Sequence, residues 1–295
     1  LLVLGANGQV GYELVRSLMP LGEVVGLTRD ECDLSRPDVI RRVVEAHKPD
    51  VIVNAAAYTA VDRAEGEEGL ATRINGEAPG ALARAAHSVN ALLLHYSTDY
   101  VFDGNKDAPW DETDPTSPLN AYGRSKLAGE RAIMASDADF IIIRTTWVFA
   151  ARGANFMRTM LRLGRERDAL KVVADQFGAP TWARNIADAS AHVIVAAQRE
   201  RADRRFASEV LHLASRGQTS WHGFATGIFA EFRRQRPDVV LRVQAVEPIP
   251  SSEYPTPARR PANSCLDCGR LAGRFGIQLP SWQDALARCL EEVGE

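Results

Sequence analysis

No stretch of this chain is apolar for long enough to cross a membrane. Basic residues do not outnumber acidic ones. Against 35 Lys and Arg stand 38 Asp and Glu, a formal net charge of −3, so there is no basic field of the kind that binds nucleic acid. Cysteine is scarce. Of Cys32, Cys265, Cys268 and Cys289, only Cys265 and Cys268 form a C-x-x-C pair. Zinc needs two more ligands, and no second pair or histidine cluster lies nearby to supply them. A redox dithiol would sit at a helix start early in a small βαβ domain, so the four read as reduced, incidental thiols. Internal repeats and low-complexity tails are lacking too. The chain opens on the apolar run Leu1–Leu4, with no basic n-region and no cleavage site. That run reads as a strand whose first residue or two lie outside the sequence, and the cytoplasm is the expected compartment.

What is present is an ordinary globular composition, 45% hydrophobic and 25% charged over 295 residues. The length suits one large α/β unit, or a nucleotide-binding domain with a smaller second lobe. Leu1–Leu4 runs into Gly5-Ala-Asn7-Gly8-Gln9-Val10-Gly11, and apolar residues at helical spacing follow until Pro20 and Gly22. Strand, glycine turn, helix is the context a dinucleotide fingerprint requires, although the spacing here is G-x-x-G-x-x-G. Gly5 permits the tight turn, Gly8 the approach of backbone to a pyrophosphate, and Gly11 close packing of helix on strand. Amides at the helix start then face the phosphates.

The end of the second strand, residues 23–27, reads the ribose. An acidic residue there holds the 2′-hydroxyl of NAD, and an arginine accepts the 2′-phosphate of NADP. This chain has Thr28-Arg29-Asp30. Arg29 points to NADPH as the cofactor, and Asp30 leaves NADH open. Asp33 and Leu34 are placed to flank the adenine. Residues 37–47 read as a helix. Residues 51–57 are a continuous apolar run that turns small at Ala55–Ala57, as a buried parallel strand with a ligand beside its end would; Tyr58 and Thr59 follow in the loop. Residues 68–90 read as one long helical stretch containing Asn75. Residues 91–98 are another buried strand ending in Ser97-Thr98-Asp99, whose hydroxyls either bond a substrate carbonyl or cap the next turn.

Pro118 and Asn120 lead into a helix that carries Tyr122 and Lys126. Residues four apart share a helix face. An ammonium beside a phenol favours the phenolate and lowers the tyrosine pKa, and a phenol tuned that way can protonate a carbonyl oxygen as hydride arrives at its carbon. Alone, Tyr-x-x-x-Lys is weak, since many surface helices carry it. Its context is the glycine turn and the Ser-Thr strand end. From about Ala150 the β-then-α alternation weakens, and the stretch 245–260 is rich in proline. The expected fold is α/β, a Rossmann-like doubly wound parallel sheet with a smaller C-terminal α/β substrate lobe. Residues 1–150 form the NAD(P)-binding domain, 181–199 and 209–216 return to it, and 151–180 with 217–295 form the lobe.

Gly5-x-x-Gly8-x-x-Gly11, Ser97-Thr98 and Tyr122-x-x-x-Lys126, in that order, resemble the extended short-chain dehydrogenase/reductases. Within that superfamily the chain is similar to the dTDP-4-dehydrorhamnose reductase family. The resemblance runs through residues 8–11, 53–62, 95–104, 117–130, 144–149, 175–181 and 254–264. It implies reduction of the C4 ketone of dTDP-6-deoxy-L-lyxo-4-hexulose to dTDP-L-rhamnose, with the C-terminal lobe holding the sugar nucleotide. By the resemblance Tyr122 is the proton donor, Lys126 assists it and bonds the nicotinamide ribose, and Thr98 bonds the reacting oxygen. Gly5, Asn7, Gly8, Gln9, Val10, Gly11, Arg29, Asp33, Leu34, Ala57, Tyr58 and Thr59 line the cofactor. Asp99, Trp147, Asn155, Arg259 and Arg260 fall on the substrate side, the two arginines towards the diphosphate. Some members of the family dimerise through Mg2+ held by glutamates. Glu13 and Glu292 match such positions, while Arg184 stands where a third glutamate would be. The implied partners are a dTDP-sugar and, at most, a second copy, with no nucleic acid and no membrane. Two other readings share the fold: a nucleotide-sugar epimerase or dehydratase, and a non-catalytic dinucleotide-binding subunit resembling the regulatory subunit of methionine adenosyltransferase.

Overall fold

Short apolar runs separated by amphipathic helices leave few ways to bury both faces of a sheet, and a parallel sheet covered on both sides is one of them. The structure, a computed structural model, describes residues 1–293. Its centre is a parallel sheet of six strands among the described residues. β1 (Leu2–Leu4) pairs with β2 (Val25–Leu27) on one side and β3 (Val51–Asn54) on the other. β4 (Leu92–Thr98), β5 (Phe140–Thr145) and the strand Glu209–His212 follow outward in that order. The order reverses between β1 and β3, and open α/β sheets bind ligands at such a switch point, beyond the carboxyl ends of the strands.

Side chains alternate across the sheet, and both faces are dry. Val3, Leu94 and Ile143 join Leu14 of the helix Gln9–Ser17, Leu18 just past its end, and Ile186 and Val193 of the helix Ala183–Ala202. Leu2, Leu4, Leu93 and Ile142 pack instead on Ile40, Leu82 and Ile133, from the helices Pro37–His47, Ala78–Ser88 and Ala121–Met134. A third apolar cluster is separate. Met157, Phe224, Phe229, Trp282 and Leu286 meet under a short parallel pair, Ala169–Val173 with Ala245–Ile249. The segment 245–249 therefore makes a strand despite Pro248, which lies in a two-stranded sheet where a missing N–H is tolerated.

The stretch expected as one helix over 68–90 is broken. The helix Glu68–Thr72 passes into a π-helical turn, Arg73–Glu77, before Ala78–Ser88. The wide turn presents Asn75, whose Oδ1 accepts from the Tyr58 N–H at 2.8 Å and whose Nδ2 donates to the Tyr58 carbonyl at 2.9 Å. Nδ2 also reaches Ser125 Oγ at 3.0 Å. Such turns recur at functional sites, and this one pins the loop after β3 to the helix that bears Tyr122. The cysteines are unbonded, and burial pushes the thiols up, Cys265 to about 11 and Cys268 to about 12. At neutral pH they are therefore thiols, which are poor nucleophiles.

Candidate active site

The carboxyl ends of β1 and β3 open on a cavity of about 400 Å³. Gly5 makes the first turn possible, with φ of 77°, a left-handed backbone that residues with a β-carbon seldom adopt. A β-carbon at Gly11 would run into the Gly5 carbonyl oxygen, so the helix can start this close to β1 only with glycine there. Gly5, Asn7, Gly8, Gln9 and Val10 form one end of the cavity, together with Arg29, Asp33 and Leu34 from the β2 end. Ala57, Tyr58 and Thr59 form its middle, and Tyr122 and Lys126 its far end. Of the residues expected to hold the cofactor, Gly11 alone is off the wall, beneath the loop. An extended groove, small at its centre and lined by free backbone amides at a helix start, fits a dinucleotide.

Asn120 caps the Tyr122 helix, its Oδ1 accepting from the Gly123 N–H at 2.8 Å. Its Nδ2 donates to the Arg259 carbonyl at 2.8 Å, tying the proline-rich segment to the same helix start. Tyr122 packs edge-on against Tyr100, ring centroids 5.5 Å apart. The expectation that Lys126 lowers the tyrosine pKa is corrected here. Lys126 Nζ turns back into the fold, donating to the Tyr96 carbonyl at 2.6 Å, with His95 Nε2 at 3.3 Å. Burial raises the Tyr122 phenol well above its ordinary value and the charge on Asp99 adds to this, while the Thr98 hydroxyl offsets part of it. Tyr122 thus rests as a protonated acid. Burial lowers Lys126 to about 8, against the pull of Glu130.

Thr98 ends β4, its Oγ1 accepting from the Tyr100 N–H at 3.2 Å and donating to Asp99 Oδ1 at 3.1 Å. Asp99 is pushed up to about 6 by burial, with the Ser264, Thr98 and Thr146 hydroxyls opposing. Above that pH it is a buried carboxylate beside the Thr98 hydroxyl.

Ser97, just before Thr98, lines the cavity, but Thr98, Asp99 and the remaining expected substrate residues lie off it. Trp147 leaves β5 in the left-handed region at φ of 43° and stacks on Trp221, centroids 3.5 Å apart. A bulky residue held there stores strain, and such strain gathers at ligand sites. Asn155 caps the helix Phe156–Glu166 and donates to Gln9 Oε1 at 3.0 Å, linking the third apolar cluster to the glycine loop. Arg260 is paired with Asp62 at 2.9 Å, and Arg259 is exposed.

The magnesium expectation is also corrected. Arg184 Nε donates to Glu13 at 3.0 Å, and Arg184 Nη1 bonds Glu292. A guanidinium already lies between the two carboxylates and neutralises them, so these residues do not fit a divalent cation. Glu13 is 4% exposed. Arg184→Ala should therefore destabilise the fold by about 1–3 kcal/mol, the penalty of a buried acceptor left unpaired. Urea unfolding with and without Mg2+ checks this; a wild-type midpoint that rises with millimolar Mg2+ would reopen the metal reading.

Sequence reasoning missed Asn54 and His95, and gave Asn75 no task. The signal was there for each: a polar residue inside an otherwise apolar strand or helix. It also missed the ion pair of Arg144 with Glu130, 2.7 Å apart and fully enclosed.

Comparison with known proteins is consistent along the full length. The family model of the RmlD substrate binding domain matches residues 1–295. A dTDP-4-dehydrorhamnose reductase of Burkholderia thailandensis is 59% identical over 293 residues, covering 99% of this chain and 98% of that protein. One from Shigella flexneri is 46% identical over 297 residues, with 99% and 97% covered. Among solved structures, a dTDP-4-dehydrorhamnose reductase from Bacillus anthracis in complex with NADP superposes with a TM-score of 0.87 at 33% identity, covering 99% of this chain and 98% of that one.

Proposed function

The chain belongs to the family of the RmlD substrate binding domain, and from that premise we propose that it reduces the C4 ketone of dTDP-6-deoxy-L-lyxo-4-hexulose to dTDP-L-rhamnose with NADPH. The observation that carries the reading is the single cavity with the glycine loop at one end and Tyr122 and Lys126 at the other. A nicotinamide dinucleotide, when bound, supplies the hydride. The chain's own part is to take charge off the ketone oxygen. Thr98 and Tyr122 are the hydroxyls at the sheet end that hydrogen-bond that oxygen as it becomes negative. Tyr122 then gives up its proton, which its raised pKa has kept in place until an oxyanion draws it off. Lys126, turned towards the cavity, holds the ribose. Trp147, Arg259 and Arg260 bound the side where the sugar nucleotide enters, with the Asp62–Arg260 pair opening to meet the diphosphate. The chain works in the cytoplasm, as a monomer or a homodimer without a metal between the subunits.

The test is NADPH oxidation with the 4-keto sugar nucleotide made in situ, run beside NADH. Stoichiometric oxidation with dTDP-L-rhamnose as product is expected. NADPH binding without oxidation would sink the proposal and favour a non-catalytic subunit. Arg29 is exposed, within 3.9 Å of Asp33. Arg29→Ala should weaken NADPH by roughly 10–100-fold, the worth of a hydrogen-bonded charge, and leave NADH within about twofold. Equal losses for both would remove Arg29 as the reader of the 2′-phosphate.

A further inference from the structure

Behind Lys126 lies a chain of buried polar groups that neither the cavity nor the reaction explains. Asn54 on β3, His95 on β4 and Lys126 are 1%, 1% and 2% exposed. Their protons can be counted. The Ala56 N–H can only donate, and it points at Asn54 Oδ1, 3.2 Å away. The amide orientation is thereby set, and Asn54 Nδ2 donates to His95 Nδ1 at 3.0 Å. His95 Nδ1 must be the bare nitrogen. A neutral imidazole has one N–H, so it sits on Nε2 and faces Lys126 Nζ at 3.3 Å. Two donors cannot share that gap. The amine form of Lys126 resolves it, with its lone pair accepting from His95 and its own N–H donating to the Tyr96 carbonyl at 2.6 Å.

The surroundings agree. His95 is held neutral by burial, and a charge on Lys126 would press the same way. Of the charged groups around this berth, Glu130 is taken by Arg144 at 2.7 Å. Asp99 lies beyond Thr98 at the strand end, and Tyr122 lies one turn back on the helix. Tyr96 turns its hydroxyl to Ser190 on the other face of the sheet. None of these lies between Lys126 and His95.

We propose that Asn54 and His95 are positioning residues for Lys126: they fix the imidazole as its Nε2–H form, favour the free amine of the lysine over its ammonium in this berth, and make the amine take up a proton when it turns to the dinucleotide. One proton passes from buffer to Nζ, and no other bond forms or breaks. The dinucleotide's part rests on the function proposed above.

Two readouts test this on the full chain. In ¹⁵N spectra of labelled histidine, with His95→Gln identifying the signals, His95 should show a bare Nδ1 and a protonated Nε2 across neutral pH. An Nδ1–H form or an imidazolium would overturn the proposal. In calorimetry of NADPH binding in buffers of different ionisation enthalpy, the wild type should take up most of one proton above about pH 8, and its affinity should fall up to tenfold per pH unit there. His95→Gln gives the ammonium a carbonyl oxygen to face. Asn54→Asp takes the Nδ1 proton and turns Nε2 into an acceptor. Both should abolish the uptake and flatten the pH dependence; a folded variant that keeps wild-type uptake would overturn the proposal. A variant that does not fold leaves the decision to the wild-type tautomer and uptake. Failure of the wild type to bind NADPH at all would sink the cofactor reading instead, and the tautomer would still decide the assignment of Asn54 and His95.

Discussion

Tyr122→Phe is expected to lower turnover by about 10²–10⁴-fold, the contribution of a positioned general acid, while NADPH affinity stays within about threefold of wild type, less than a single hydrogen bond is worth. The change removes one oxygen. The ring stays packed against Tyr100, so the helix and the cavity wall keep their shape. What is lost is the proton held at the end of the groove. The pKa direction sharpens this. A phenol lowered towards neutrality would share its proton with solvent and give a falling rate within the ordinary alkaline range. A buried phenol raised by desolvation and by Asp99 stays protonated throughout it. The alkaline limb of kcat/KM for NADPH in the wild type should therefore report Lys126, lowered to about 8, rather than the tyrosine. Steady-state rates and fluorescence titration of NADPH separate the two effects. Near-normal turnover by the phenylalanine variant would remove Tyr122 as the acid.

Glu130→Ala is expected to cost about 3–5 kcal/mol of stability, the usual result of stripping one partner from a buried ion pair. Arg144 Nε and Nη2 each donate to one oxygen of Glu130, at 2.9 and 2.7 Å. The glutamate side chain is 0% exposed and the arginine 5%. With the carboxylate gone, the guanidinium is left among Phe102, β5 and the strand Glu209–His212 with no counter-charge. Replacing both partners with Glu130→Leu and Arg144→Met should recover most of the loss, because the desolvation penalty disappears with the pair. Urea unfolding of the two single variants and the double variant checks this cycle. A Glu130→Ala midpoint close to wild type would mean the guanidinium finds water or another acceptor.

The difference between these two residues shows how far linear pattern reaches. Tyr122 was legible because Lys126 lies four residues on, one turn along the same helix. The glycine loop was legible for the same reason, with strand, turn and helix start all within Leu2–Ser17. The apolar-rich runs at 51–57 and 91–98 announced a parallel sheet buried on both faces, and the sheet is there. Local spacing governs local geometry, and such features survive any detail of packing.

Other features depend on pairs far apart in the chain, and there the sequence alone misled or was silent. Lys126 sits at the right spacing to serve Tyr122. Yet the register of β4 brings the Tyr96 carbonyl and His95 within its reach from thirty residues away, and the buried acceptor wins. Asn54 meets His95 only because β3 and β4 pair at those two positions. Glu13 and Glu292 look like metal ligands in the linear sequence. Packing of the helix Ala183–Ala202 on Gln9–Ser17 sets Arg184 between them, and a fixed cation excludes another. The chain by itself determined the fold class, the glycine loop and the placing of Tyr122 and Lys126 on one helix, through spacing and hydrophobic period. Only tertiary structure decided which protons those groups hold, because burial and long-range register control solvation, and solvation controls charge.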